Sequence, residues 1–292
     1  MVFVGVAIVA TIVYLQVVAP AIGVSFADAS TNYPFAFFFW GMALLSFFDC
    51  WPFAGRIPQP WAGLATAALS LVPAVLTWKW LAGQFGEYDA FALLSYAEFF
   101  MFAIAWFYDN ALAAGLRQPL KGAFLTLLSI ALGWAVYTVI GAIPQMWLYY
   151  IPEWLLFFFG SWPIGHDRPY ARGTFWVVLI LAGTWLTNGI LNRMGAPLTT
   201  ARGEDVASIV FGSMIYAYGF ECWPFEGFKQ PLKGIVVIAT TLIIALVLAV
   251  LAWRVFQVDD HWVSAWVFAV WTWLVVLLWM IAPWPSESGA GP

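Results

Sequence analysis

The chain has 292 residues, of which 64% are hydrophobic and 9% charged, with a mean hydropathy of +0.88. A soluble domain carries roughly a quarter charged residues, and a surface built instead from Leu, Val, Phe and Trp aggregates, so composition excludes a soluble protein. A net charge of -4 and a pI near 5.0 leave no basic patch for nucleic acid; the expected partners are the lipid bilayer and either membrane-complex subunits or further copies of this chain.

The first apolar run, "VFVGVAIVATIVYLQVVAPAI" (2–22), has no basic residue before it and is too long for a signal-peptide core, which predicts a retained helix. Further runs follow at 34–50, 60–83, 90–109, 119–142, 145–161, 172–194, 206–222, 231–256 and 262–283, separated by Pro, Gly or clustered charge. Helix is the expectation for each, because a backbone in lipid must satisfy its own hydrogen bonds. The predicted fold is therefore all-α: a polytopic integral membrane protein of about ten transmembrane helices in a single domain spanning residues 1–292. The 20 Trp, spread along the whole chain, suit the membrane–water interface, where an apolar ring carries one N–H.

Four of the breaks resemble one another. "FDCWPFAGRIPQPWAG" (48–63), "YDNALAAGLRQPLKG" (108–122) and "FECWPFEGFKQPLKG" (220–234) each run from an acid through a glycine and a base to Gln-Pro and a second glycine. "FGSWPIGHDRPYARG" (159–173) is the divergent copy, with Gly160 in place of the acid, a displaced Asp167, and Arg168-Pro169 for Gln-Pro. Each copy joins two runs, so the chain reads as a first helix, four hairpins (34–83, 90–142, 145–194 and 206–256) and a last helix. Units of two spans repeat in parallel and put all four turns on one membrane face. Those turns hold Arg56, Arg117, Lys121, Arg168, Arg172, Lys229 and Lys233, against Lys79, Arg193, Arg202 and Arg254 elsewhere. The excess of positive charge assigns the turns to the cytoplasm, with both termini inside and the protein in the inner (plasma) membrane.

Within a turn, glycine ends one helix and proline starts the next where its missing N–H costs nothing. The acids are harder to place, since a carboxylate at a helix C-terminus faces the negative end of the dipole. The nearest bases across each turn are the expected partners: Arg56 for Asp49, Arg117 for Asp109, and Lys229 for Glu221. If the turns converge, Asp49, Asp109 and Glu221 would ring a cytoplasmic mouth of the kind that selects cations. Cys50 and Cys222 occupy equivalent positions and, with His166, form a weak metal candidate that no local CxxC or HxxxH spacing supports. No cofactor is expected, and haem is disfavoured because His166 and His261 fall on opposite faces.

Glu98 stands outside the repeat. It lies about nine residues into the 90–109 run, near mid-bilayer at about 1.5 Å per residue. Its equivalents in the other copies are Phe38, Tyr149 and Val210. An intramembrane carboxylate is costly and by default a functional candidate, with helix–helix hydrogen bonding the plainer role. Thr184, Thr187, Asn188 and Asn192 are possible partners for it.

The first functional expectation is a transporter or channel for a small molecule or cation, with Glu98 as coupling or selectivity group. The alternative is a non-catalytic structural or anchoring subunit of a membrane complex. A third is a membrane-embedded enzyme on a lipid or isoprenoid, holding Mg²⁺ through Asp49, Asp109 and Glu221.

Overall fold

The computed structural model describes residues 2–53, 55–58, 61–143, 158–159, 162–193, 224–225, 227–251 and 260–275. The described residues are helical, with no strand among them. In chain order the helices are α1 (Val2–Val13), α2 (Tyr33–Met42), α3 (Trp61–Phe85), α4 (Glu87–Phe102), α5 (Leu120–Ile140), α6 (Pro169–Arg193), α7 (Leu232–Val250) and α8 (Asp260–Val275). Among the described residues, four helical stretches are long and apolar enough to cross a membrane: Trp61–Phe85, Glu87–Phe107, Leu120–Ile140 and Pro169–Ile190. The runs expected at 145–161 and 206–222 lie almost wholly outside the described residues.

Two helices, α4 and α6, start three residues earlier than the apolar pattern suggests, for reasons of polar chemistry. α4 opens at Glu87, with Asp89 also in its first turn, because carboxylates favour the positive end of the dipole. α6 opens on Pro169, where a fixed φ helps and no N–H is needed. A single residue, Gly86, separates α3 from α4; at φ +88 it ends α3 with its N–H on the Ala82 carbonyl at 2.9 Å. Ser25 caps the turn before α2, accepting the Asp28 N–H at 3.1 Å in a Ser-x-x-Asp box.

The chain divides into two compact units. The first comprises Met1–Ala90, Ala113–Leu128 and Ala269–Pro292. Here α2 packs on α3, whose buried stripe of Ala62, Gly63, Thr66, Ser70 and Ala74 recurs every three or four residues and lets a neighbouring backbone approach closely. Thr66 and Ser70 hydroxyls donate to the carbonyls one turn back, Ala62 and Thr66, at 2.8 Å each, so neither leaves a polar group bare. The Trp40 indole donates to Thr77 Oγ1 at 3.0 Å, tying α2 to α3.

The second unit comprises Phe91–Leu112 and Ser129–Phe268. The segment Ala103–Phe107, which continues α4 as a wider turn, packs against α6. Trp176 is fully buried there, with its ring near Phe107 and Phe159. Gly133 of α5 meets α4 backbone to backbone, so that a Cβ added to it would stand 2.5 Å from the Ala97 nitrogen. Tyr96 adds a hydrogen bond to the Gly141 carbonyl at 3.0 Å.

Gly133→Ala is expected to lower stability by about 1–3 kcal/mol, because the clash is with backbone and cannot be relieved by a rotamer change. Gly189→Ala, which faces open space, is expected to be neutral or mildly stabilising. Melting temperatures of the two purified variants check this, and equal values would contradict the close approach.

Candidate functional site

The first two motif turns share one backbone design. Each preceding helix widens over five residues, Ala43–Phe47 and Ala103–Phe107. The Phe48 and Tyr108 N–H groups then reach Ala43 and Ala103 carbonyls, and those of Cys50 and Asn110 reach Leu44 and Ile104, both at 2.9 Å. To make these bonds two successive residues adopt left-handed backbone: Asp49 and Cys50 at φ 52 and 57, Asp109 and Asn110 at φ 50 and 56. Asp and Asn tolerate that region; Cys does so at a cost of about 1–3 kcal/mol. Bonds Trp51–Pro52, Gln118–Pro119, Trp162–Pro163 and Gln230–Pro231 are cis.

Each turn is completed by a helix from later in the chain. Gln118, just before α5, donates from Nε2 to the Phe47 carbonyl at 2.7 Å and to Asp49 Oδ2 at 2.9 Å. Lys121 adds its ammonium to the same carboxylate oxygen at 3.1 Å. The Gln118 amide is held in turn by the Gly122 N–H, 3.3 Å from Oε1. Gly122 itself seats on the Phe48 ring so closely that a Cβ would fall 2.3 Å from it.

At the second turn Arg172 of α6 takes these roles together. Its Nε donates to the Phe107 carbonyl at 3.0 Å, the place Phe47 occupies above, and its terminal nitrogens pair with Asp109 and meet His166 Nδ1. His166 Nδ1 also lies 2.9 Å from Asp109 Oδ2, so that ring nitrogen either donates to the carboxylate or accepts from the guanidinium. Gly173 seats on the Tyr108 ring as Gly122 does on Phe48. Arg172 is 1% exposed while Asp109 is 35% exposed, which makes this a buried charge whose counter-ion sits at the surface. At the third turn Gln230 Nε2 donates to the Phe158 carbonyl at 2.7 Å and Gly234 seats on Phe159.

The expected pairing of each acid with the base across its own turn is thereby corrected. Asp49 pairs with Lys121 and Asp109 with Arg172 and His166, rather than with Arg56 and Arg117. Proximity in sequence misleads here because the turn is tight and its first helix end already points at another helix. The signal that identifies the real partners is a base directly before the second glycine, in Lys121-Gly122, Arg172-Gly173 and Lys233-Gly234. Glu221 and Cys222 lie outside the described residues, and with Glu221 the pair it was expected to form with Lys229. Cys50 carries a free, half-buried thiol. Among the described residues no three His, Cys, Asp or Glu side chains gather into a metal shell.

Glu98 is fully buried in α4. The positions three and four residues away, Leu94, Ser95, Met101 and Phe102, are buried too. Of the four described stretches long and apolar enough to cross a membrane, Glu87–Phe107 is the most buried: 83% of its most apolar window, against 33, 22 and 17% for the others. Two of the polar side chains of α6 find partners within the helix, Thr184 donating to the Ile180 carbonyl at 2.8 Å and Asn192 to Asn188 Oδ1 at 3.4 Å.

No family model, curated protein or solved structure matches the chain.

The two acids are expected to differ in weight. Asp109→Asn leaves a buried guanidinium without its counter-ion and is expected to cost about 3–5 kcal/mol. Asp49→Asn breaks a pair whose members are 22% and 58% exposed, and is expected to cost about 1 kcal/mol or less. Thermal unfolding followed by Trp fluorescence reads both, and a larger loss at Asp49 would overturn the assignment.

Proposed function

We propose that the protein is a membrane transporter or channel for a cation or small molecule, in which Glu98 binds the ion or carries the proton. The observation that carries this reading is a carboxyl group with no solvent exposure in the most buried of the apolar stretches. Insertion of such a group costs about 3 kcal/mol on translocon scales, so its presence calls for a use. The finer architecture belongs to the same proposal: about ten spans, four parallel two-helix repeats, motif turns and both termini on the cytoplasmic side of the inner membrane.

The roles first considered for the turn acids are weakened by their surroundings. Asp49 and Asp109 are engaged by Lys121, Arg172 and His166, and carboxylates neutralised in this way neither select cations nor recruit Mg²⁺. They serve as joints between hairpins, which takes support from the enzyme reading. A structural subunit of a larger complex is the second reading, and the apolar outer faces of α3, α5 and α6 favour it to the extent that protein rather than lipid covers them.

In proteoliposomes with a trapped pH- or cation-sensitive dye, the wild-type chain is expected to pass H⁺, Na⁺ or K⁺, and Glu98→Gln to reduce the flux at least tenfold at an unchanged melting temperature. Full flux in Glu98→Gln would overturn the role of Glu98. No flux of any of the three ions, together with a partner that always co-purifies, would favour the structural subunit.

A further inference from the structure

α4 and α5 meet backbone to backbone beside the buried carboxyl group. A Cβ on Gly133 would stand 2.5 Å from the Ala97 nitrogen and 2.8 Å from its Cα. One residue earlier in α4, the Tyr96 hydroxyl donates to the Gly141 carbonyl, just past the end of α5, at 3.0 Å. Since residue 97 meets residue 133 and residue 96 reaches residue 141, the two helices run in opposite directions. Glu98 directly follows Ala97 in the chain.

Two buried hydroxyls bracket Glu98. Ser95 lies three residues before it, and residues at that spacing share a helix face, with Cβ atoms about 5–6 Å apart. A helical side chain leans toward the N-terminus of its own helix, which turns the Glu98 carboxyl toward Ser95. Ser129 lies four residues before Gly133, on the face of α5 that meets α4. With the helices antiparallel, it stands about 6 Å beyond Ala97 on the side of Met101. Ser95, Glu98 and Ser129 are each 0% exposed. The serines therefore lie on opposite sides of Glu98 along the helix axis, Ser95 toward the start of α4 and Ser129 toward its end.

We infer that the species Glu98 serves is the proton, and that Ser95 and Ser129 pass it to and from the carboxyl group. The inference rests on the transport reading above and names its substrate. A proton moves through a packed interior from one hydrogen-bonding oxygen to the next, whereas a metal cation has to exchange its hydration shell for several protein oxygens at once. Backbone contact at Ala97 and the full burial of Met101 and Phe102, one turn from Glu98, suit the smaller demand. Each transfer balances. The Ser95 hydroxyl gives its proton to the Glu98 carboxylate while its oxygen accepts another from the side of the α4 start, so the serine ends unchanged and the carboxyl gains one proton. The carboxyl O–H then breaks as the Ser129 oxygen takes that proton and gives up its own toward the α4 end.

Proteoliposomes carrying the full chain, with dyes for H⁺, Na⁺ and K⁺ trapped in turn, test the assignment. The wild type is expected to pass H⁺ and neither metal ion, and to do so more slowly in heavy water. Ser95→Ala and Ser129→Ala are each expected to lower the H⁺ flux about tenfold, the weight of one hydrogen bond, at an unchanged melting temperature. Ser129→Thr, which keeps a hydroxyl, is expected to restore most of it. A flux of Na⁺ or K⁺ that Glu98→Gln abolishes would overturn the proton assignment and leave the transport reading standing. Full H⁺ flux in both alanine variants, or equal rates in the two solvents, would overturn the serine relay. Absence of all three fluxes would overturn transport itself, and this inference with it.

Discussion

A carboxylate at the end of one helix, held by the base and glutamine that open a much later helix, is the contact from which the described parts of this protein take their order. Taken separately the two helix ends are both wrong for their dipoles, an acid at a C-terminus and a base at an N-terminus. Brought together, each removes the other's penalty. The geometry admits little freedom, because the same glutamine also closes on a carbonyl two residues before the acid, as at Phe47 for Gln118 and Asp49. A glycine one turn into the later helix then lets the aromatic ring before the acid lie against backbone. Polar specificity and close apolar packing thus operate at one place, which suits a molecule whose remaining surface is apolar and gives little orientation between helices.

Much of this was legible before any coordinates. The apolar runs located α3 to α7 within a few residues, since length and hydropathy are the strongest signals a membrane chain carries. Glu98 was recognisable as buried because it sits in the middle of such a run. The partners of Asp49 and Asp109 were not, because arguing from spacing favours the nearest base and the true ones, Lys121 and Arg172, come from later helices. Nothing in the sequence announces the part of the second glycine either, which in Gly122, Gly173 and Gly234 is a seat for an aromatic ring. Left-handed backbone at Asp49, Asp109 and Asn110 agrees with residue preference; at Cys50 nothing in a thiol announces it.

The unequal burial of the apolar stretches gives the proposed function its physical setting. The described stretch of α4 and its continuation is 83% buried over its most apolar window, against 33% or less for α3, α5 and α6. A charged or protonatable group is tolerable only where the surroundings are fixed and polar partners are to hand, and the most buried stretch is where Glu98 lies. The two kinds of acid in the chain accordingly divide between tasks. Those described at the turns join a helix end to a later helix, and the one buried in α4 is the group proposed to meet the transported species.

The spacing of the junction residues bears on how the protein is made. Gln118 and Lys121 follow Asp49 by 69 and 72 positions, so a ribosome adding about 5–20 residues per second leaves the first turn without its base for about 3–14 s. For that interval the first turn displays an uncompensated carboxylate and an uncovered ring on Phe48. The first turn therefore closes only after the start of α5 has been made, and the second only after that of α6. A chain cut short before Gln118 keeps the first turn open, with the Asp49 carboxylate lacking both of its later partners.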